Sequence, residues 1–250
     1  MHIHGVELDM AAQLQFVRER LAPHISEFGE QVRSAGFELW NSQYMAGDAE
    51  LLYAMLRMLR PRRVLEIGSG HSTLIAAAAC ARNGSEGHAA ELVAVDPDPR
   101  SAISKDIDGL ARVERIDCRE LPLERFTELE ARDVLFIDTS HIVKLGSEVN
   151  WLLLGVLPRL SPGVIVHIHD VYLPYEYHPY LFELGVSFNE QYLLQAMLTE
   201  NPHWEVLIAA CALARERRAE LEKLIPSLGE DVPDMPAFDY VPVAFWMRRR

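Results

Sequence analysis

The chain has 250 residues, 49% of them apolar and 24% charged, and a formal net charge of −13. This is enough apolar material for one α/β domain with a sizeable core, and the dispersed acids leave no basic face for nucleic-acid phosphates. Three distant cysteines (Cys80, Cys118, Cys211) suit neither a disulfide framework nor a metal knuckle, no basic-then-apolar start resembles a signal peptide, and no apolar run approaches the ~20 residues of a membrane span; a cytoplasmic, membrane-free protein is expected.

Residues 9–35 space Leu14, Val17, Leu21, Ile25, Phe28 and Val32 as one helix face, with an interruption expected around Pro23. An irregular aromatic stretch, Phe37 to Met45, follows, and its Gln43-Tyr44-Met45 segment suits either ligand contact or plain packing. Asp48 then opens a helix with an apolar face of Leu51, Leu52, Met55, Leu56 and Leu59, ending near Pro61. This leader, residues 1–60, reads from its residues as packing and homodimer surface.

The stretch Val64-Leu65-Glu66-Ile67-Gly68-Ser69-Gly70-His71-Ser72-Thr73 reads as strand, glycine turn and helix start, the first βα unit of a nucleotide-type sheet. Its glycines let the backbone approach a ligand, and the helix start offers free N–H groups to ligand oxygens. Thr73 stands where a dinucleotide fingerprint needs a third glycine, and the Gly-Lys-Ser/Thr of a P-loop is missing.

Glu91 to Asp96 is a second strand, with Asp96 placed to accept from a ribose diol or, since Pro97-Asp98-Pro99 follows, to cap a helix. Arg112 to Asp117 reads as a third strand, with Asp117 near an adenine edge or simply on the surface. Asp133 to Ile137 forms a fourth, running into Asp138-Thr139-Ser140-His141, and a helix is expected between Gly146 and Pro158. Val164 to Ile168 forms a fifth, with His167 inside the strand as a structural residue and His169-Asp170 at its end. Tyr172, Tyr175, Tyr177 and Tyr180 lie on one loop, where they shape a substrate pocket or cover the core.

Asn189 to Leu198 is helical, and His203–Ile208 and Pro242–Met247 supply the last strands. Between them come a charged surface helix, Arg215 to Ile225, and a connector with Pro226, Pro233 and Pro236; Arg248-Arg249-Arg250 reads as a solvated tail. The expected architecture is α/β: a Rossmann-like, seven-stranded, mostly parallel sheet with helices on both faces. It occupies residues 61–250 of a single domain spanning 1–250.

Glu66-Ile67-Gly68-Ser69-Gly70 resembles the first motif of class I S-adenosylmethionine (SAM)-dependent methyltransferases, and Asp96-Pro97-Asp98-Pro99 resembles the second. The resemblance covers about residues 37–210. It implies SAM as cofactor, with Glu66, Gly68, Ser69, Gly70, Ser72, Asp96, Pro97, Asp117 and Asp138 around it. The place of the leader, residues 1–60, as a lid over a pocket is implied only by resemblance to methyltransferases of similar layout.

Asp138, His141, His169 and Asp170 all fall at the carboxyl ends of neighbouring strands, where two acids and two imidazoles are costly to bring together without a cation. Asp138-Thr139-Ser140-His141 followed by Asp170 resembles the metal-dependent O-methyltransferases that act on sugars of macrolide-type natural products. That resemblance implies Asp138 and Asp170 as metal ligands and His141 as general base, on a small-molecule hydroxyl of sugar or phenol type. The pattern has a second acid where this chain has His169, a third candidate ligand, and imidazole favours Mn²⁺, Fe²⁺ or Zn²⁺ over Mg²⁺. A metal-free site with His141 alone, a hydroxylase-like metalloenzyme on the same residues, and a SAM-binding regulatory protein are the competing readings.

Overall fold

The computed structural model describes residues 4–99, 103, 106–231 and 240–250, so Pro233 and Pro236 of the expected connector lie outside the described residues. The strands are β1 (Arg63–Ile67), β2 (Glu91–Val95), β3 (Arg112–Glu114), β4 (Val134–Ile137), β5 (Ile165–Ile168), β6 (Trp204–Ala209) and β7 (Phe245–Arg249). They form one sheet in the order β3-β2-β1-β4-β5-β7-β6. The first five run parallel, and β7 inserts antiparallel between β5 and β6.

The central strands are buried because their apolar residues alternate to both faces and both faces are covered. Every residue of β4 and β5 is buried, and a fully covered Val, Leu or Ile contributes roughly 1.5–3 kcal/mol. One such β5 residue is His167, which stacks on Trp246 at 4.2 Å and on Phe136 at 4.3 Å. Its Nε2 meets the Tyr44 hydroxyl at 2.9 Å, so it is the core residue expected, and burial followed by the charge of His169 pushes its pKa well down.

The leader is α1 (Met10–Phe16), a wide π turn over Val17–Leu21, α2 (Ala22–Ser34) and α3 (Asp48–Leu59). The α-helical pattern is interrupted just before Pro23, by the wide turn over Val17–Leu21, while the helical path itself continues. After β1, α4 (His71–Ser85) begins directly at the glycine turn, where Thr73 Oγ1 accepts from Gly70 N at 3.0 Å.

Shorter helices complete the connections: α5 (Glu124–Thr127), α6 (Glu148–Asn150), α7 (Tyr180–Glu183), α8 (Glu190–Leu198), α9 (Ala210–Glu216) and α10 (Arg218–Leu221). The expected charged helix is thus two pieces broken at Arg217, with α9 almost wholly buried. No helix among the described residues is long and apolar enough to cross a membrane.

β7 starts three residues later than expected, because the N–H groups of Val243 and Ala244 donate to the Asp48 carboxylate instead of to a strand. Correspondingly, Arg248 and Arg249 belong to β7 and are no solvated tail. Arg248 pairs with Glu205, and the Arg249 guanidinium lies over Trp204. β3 is shorter than expected, ending at Glu114, because Asp117 caps the 3₁₀ turn Cys118–Glu120.

The strand order reverses between β1 and β4. One runs on to β2 and β3, the other to β5, and ligands of open α/β sheets bind beyond the carboxyl ends at such a reversal.

Candidate active site

At that reversal the chain leaves β1 through Gly68 and β4 through Asp138, and the two ends are in contact. Asp138 N donates to Ile67 O at 2.9 Å, and Gly68 N donates to Val95 O at 2.9 Å. Gly68 has φ +95°, and a Cβ there would sit 1.9 Å from the Asp138 carbonyl oxygen. This glycine therefore makes room for the neighbouring strand end, and its backbone also lines the cavity. Gly70 is the open one, since a Cβ at this position would meet no protein atom within 4 Å, and it faces the cavity.

That cavity measures about 860 Å³. One half is lined by the Gly68–Ser72 turn, Asp96, Pro97, Asp117, Thr139 and Ser140, and the other by Gln43, Tyr44, His141, His169, Asp170 and the apolar trio Leu181, Val186 and Phe188. Of the Gln43-Tyr44-Met45 candidate, Gln43 and Tyr44 reach the cavity while Met45 is buried in the core. The tyrosine loop does not supply the wall directly. Tyr172 and Tyr177 pack on one another at 5.5 Å, Tyr177 backs Phe188 at 6.0 Å, and the wall residues come from the segment that follows.

Of the acids expected around a cofactor, Asp96, Asp117 and Asp138 line the cavity, whereas Glu66 lies behind the wall and reaches it only through Ser72. Glu66 is fully buried at the end of β1, accepts from Ser72 Oγ at 2.6 Å through one oxygen, and leaves the other without a partner. Burial drives its pKa up to about 8, against the opposing bonds from Ser72 and Thr73. A buried carboxylate oxygen lacking a donor, beside an open glycine turn, suits a cationic ammonium group. Asp96 accepts from Ser69 Oγ at 2.7 Å and from Asp98 N at 2.8 Å, which joins the first and second motifs through one carboxylate. Asp117 is committed to Arg119, whose guanidinium and backbone N–H both donate to it, so its approach to an adenine amine competes with that pair.

In the other half, His141 is buried with Nδ1 2.9 Å from Glu190 Oε2 and Nε2 3.2 Å from Asp138 and 3.3 Å from Asp170. Burial pushes its pKa down, but the bonds to Asp138 and Glu190 and the charge of Asp170 outweigh this and hold it at about 10. Asp170, likewise raised by burial, is held down at about 2 by the neighbouring His169 and His141. His141 and Asp170 both take left-handed backbone angles, φ +58° and +56°, which non-glycine residues adopt at a cost and which recur where geometry serves function.

Among the described residues, the tight grouping of potential metal donors is Asp138, His141 and Asp170, with atoms within 4.8 Å of one another. His169, the imidazole in the expected ligand set, stands slightly further off, Nδ1 being 3.6 Å from Asp170 and 3.8 Å from Asp138. Two carboxylates flanked by two imidazole nitrogens are a donor set that a divalent cation fits. Sequence reasoning missed Glu190 and Asp48, the partners that aim these imidazoles. Each opens a helix, and nothing in local spacing ties either one to its histidine.

A cleft of this size at the reversal point of a Rossmann-like sheet, with Asp96 on its wall directly after the second strand, is the place and size that suit a nucleoside cofactor. Residues 65–171 match the family model described as "Methyltransferase domain". No curated protein matches the sequence.

Among solved structures, the chain is similar to the S-adenosylhomocysteine (SAH)-bound methyltransferase PaMTH1 of Podospora anserina (19% identity, 91% of this chain and 88% of that one, TM-score 0.43). It is also similar to an O-methyltransferase of Bacillus cereus in complex with SAH (15%, 94% and 96%, 0.42). A third is a duf574 family protein of Streptomyces avermitilis (12%, 92% and 96%, 0.46).

Proposed function

We propose that this protein transfers the methyl group of SAM to a hydroxyl of a small-molecule acceptor of sugar or phenol type, with His141 taking the proton. The observation that carries this is the placement of His141, Asp138 and Asp170 in the same cavity as the glycine turn, between the cofactor half and the apolar wall of Leu181, Val186 and Phe188.

The sulfonium of SAM supplies the activated methyl, and the chain supplies alignment. The Gly70 turn holds the amino-acid end, with the Glu66 carboxylate behind it through Ser72, and Asp96 holds the ribose. The acceptor lies against the apolar wall with its oxygen near His141. The acceptor oxygen forms the new bond to carbon as the carbon–sulfur bond breaks, neutral SAH leaves, and the hydroxyl proton passes to Nε2 of neutral His141, the form present when Asp138 and Asp170 no longer hold its proton. Holding the two reactants in line contributes on the order of 7–11 kcal/mol of the barrier reduction. Glu190, on Nδ1, keeps Nε2 aimed at the acceptor side, as the third member of a catalytic triad does.

A divalent ion held by Asp138, His169 and Asp170 would act as a Lewis acid on the acceptor hydroxyl and relieve the hold of the two carboxylates on His141. Three buried, unpaired cysteines support a reducing, cytoplasmic setting.

The test is calorimetric titration with SAH, before and after EDTA treatment, followed by transfer of labelled methyl from SAM to a panel of hydroxyl compounds. Micromolar SAH binding and label on a hydroxyl are expected. Absence of SAH binding in both titrations would overturn the reading.

A further inference from the structure

We propose that Asp48 is a positioning residue that makes His169 a metal ligand through Nδ1 and thereby gives the centre a preference for transition-metal ions such as Mn²⁺ over Mg²⁺; this rests on the reading of Asp138 and Asp170 as the metal-holding pair.

The ring of His169 is held on every side but one. It is 3% exposed, directly after β5, and its backbone N–H donates to Ile137 O. Asp48, the first residue of α3, sets Oδ2 3.4 Å from Nε2. The Asp48 carboxylate has no freedom to swing away. Val243 N donates to both its oxygens at 2.9 and 3.0 Å, and Ala244 N donates to Oδ1 at 2.7 Å. Tyr44 stacks on the imidazole at 4.5 Å with 28° between the planes, and its own hydroxyl is anchored on His167.

With Nε2 occupied and the plane fixed, Nδ1 faces the cavity. There it meets Asp170 Oδ2 at 3.6 Å and Asp138 Oδ2 at 3.8 Å. These separations are wider than a hydrogen bond, and they set Nδ1 at the edge of the Asp138, His141 and Asp170 donor group, within reach of an ion held there.

A carboxylate on the far nitrogen of a ligating imidazole is the usual way a protein fixes its tautomer and orientation, and losing it costs about 10–100-fold in metal affinity. Nitrogen among the donors also decides the ion. Mg²⁺ wants an oxygen shell, whereas imidazole suits Fe²⁺ and Zn²⁺ and is accepted by Mn²⁺ more readily than by Mg²⁺. Asp48 belongs to the leader and His169 to the sheet, so the centre is assembled only where leader and sheet are packed together.

The experiment titrates metal-stripped full-length protein with Mn²⁺ and with Mg²⁺ by calorimetry, without SAH, and records pulsed electron paramagnetic resonance of the Mn²⁺-loaded protein. Wild type is expected to bind Mn²⁺ at least about tenfold more tightly than Mg²⁺ and to show imidazole-nitrogen modulation. His169→Glu should lose the modulation and shift preference toward Mg²⁺, and Asp48→Asn should weaken Mn²⁺ about 10–100-fold. SAH affinity close to wild type in each variant shows that the cofactor half is intact. Wild type that binds neither ion or prefers Mg²⁺, or modulation that survives His169→Glu, overturns the proposal while leaving the methyltransferase reading standing. Metal behaviour as expected with no SAH binding would do the reverse.

Discussion

The His141 imidazole and the Glu190 carboxylate face one another inside the protein, Nδ1 to Oε2 at 2.9 Å, with both side chains almost fully buried. A pair buried this deeply is costly unless the bond between its members is kept. Its consequence is directional: with Nδ1 committed to Glu190, whatever chemistry His141 performs is performed by Nε2.

This separates two variants. His141→Ala is expected to lower the transfer rate by about 10²–10⁴-fold, the usual contribution of a positioned base, with SAH affinity near wild type. Glu190→Gln keeps the shape and weakens the orienting bond, so a smaller loss in kcat is expected, again with SAH affinity unchanged. Steady-state kinetics beside calorimetry checks both, and full turnover by His141→Ala would remove it as the base.

Glycines two residues apart should fail in different ways. Gly68→Ala drives a Cβ into the Asp138 carbonyl from a positive φ, and a stability loss of at least ~2 kcal/mol in denaturant melts is expected. Gly70→Ala meets no protein atom, so the fold should melt near wild type while SAH binding weakens. Equal stability for the two variants would contradict the geometry.

Glu66 predicts a pH dependence. Its carboxyl has a folded-state pKa raised by burial to about 8, whereas the unfolded chain ionises it near 4.5, so between these values the folded protein holds the extra proton. Its contribution to stability is therefore complete below about pH 4.5 and is lost as pH rises through about 8. Urea melts across that window should show wild type losing stability relative to Glu66→Gln. SAH binding at pH 7 should also release a proton, since the ligand's ammonium favours the carboxylate; calorimetry in buffers of different ionisation enthalpy measures it.

Asp96 links the two cofactor motifs through Ser69. Asp96→Ala is expected to weaken SAH by more than about tenfold, since the ribose loses its acceptor and Ser69 loses its anchor. Unchanged affinity would sink the ribose assignment.

Much of this architecture could be read directly from the residues. Val134–Ile137 and Ile165–Ile168 announce buried parallel strands because a strand covered on both faces must be apolar throughout. The turn at Gly68 and Gly70, and the acids at strand ends, follow from local chemistry that recurs wherever a strand meets a helix over a ligand. The form of the interruption before Pro23 and the starting point of β7 were not legible, because a π turn upstream and an Asp48 carboxylate reached from far along the chain decide them.

The amino-acid sequence by itself determined the order of elements, the edge of the sheet where ligands bind, and which acids and histidines stand along it. Only the tertiary structure decided which of them are partners: Glu190 to His141, Asp48 to His169, and Gly68 to the Asp138 carbonyl. The physical reason is range. Periodicity and turn chemistry act over a few residues, whereas a side chain's partner is set by strand order and by how the leader packs on the sheet, which bring together residues far apart along the chain.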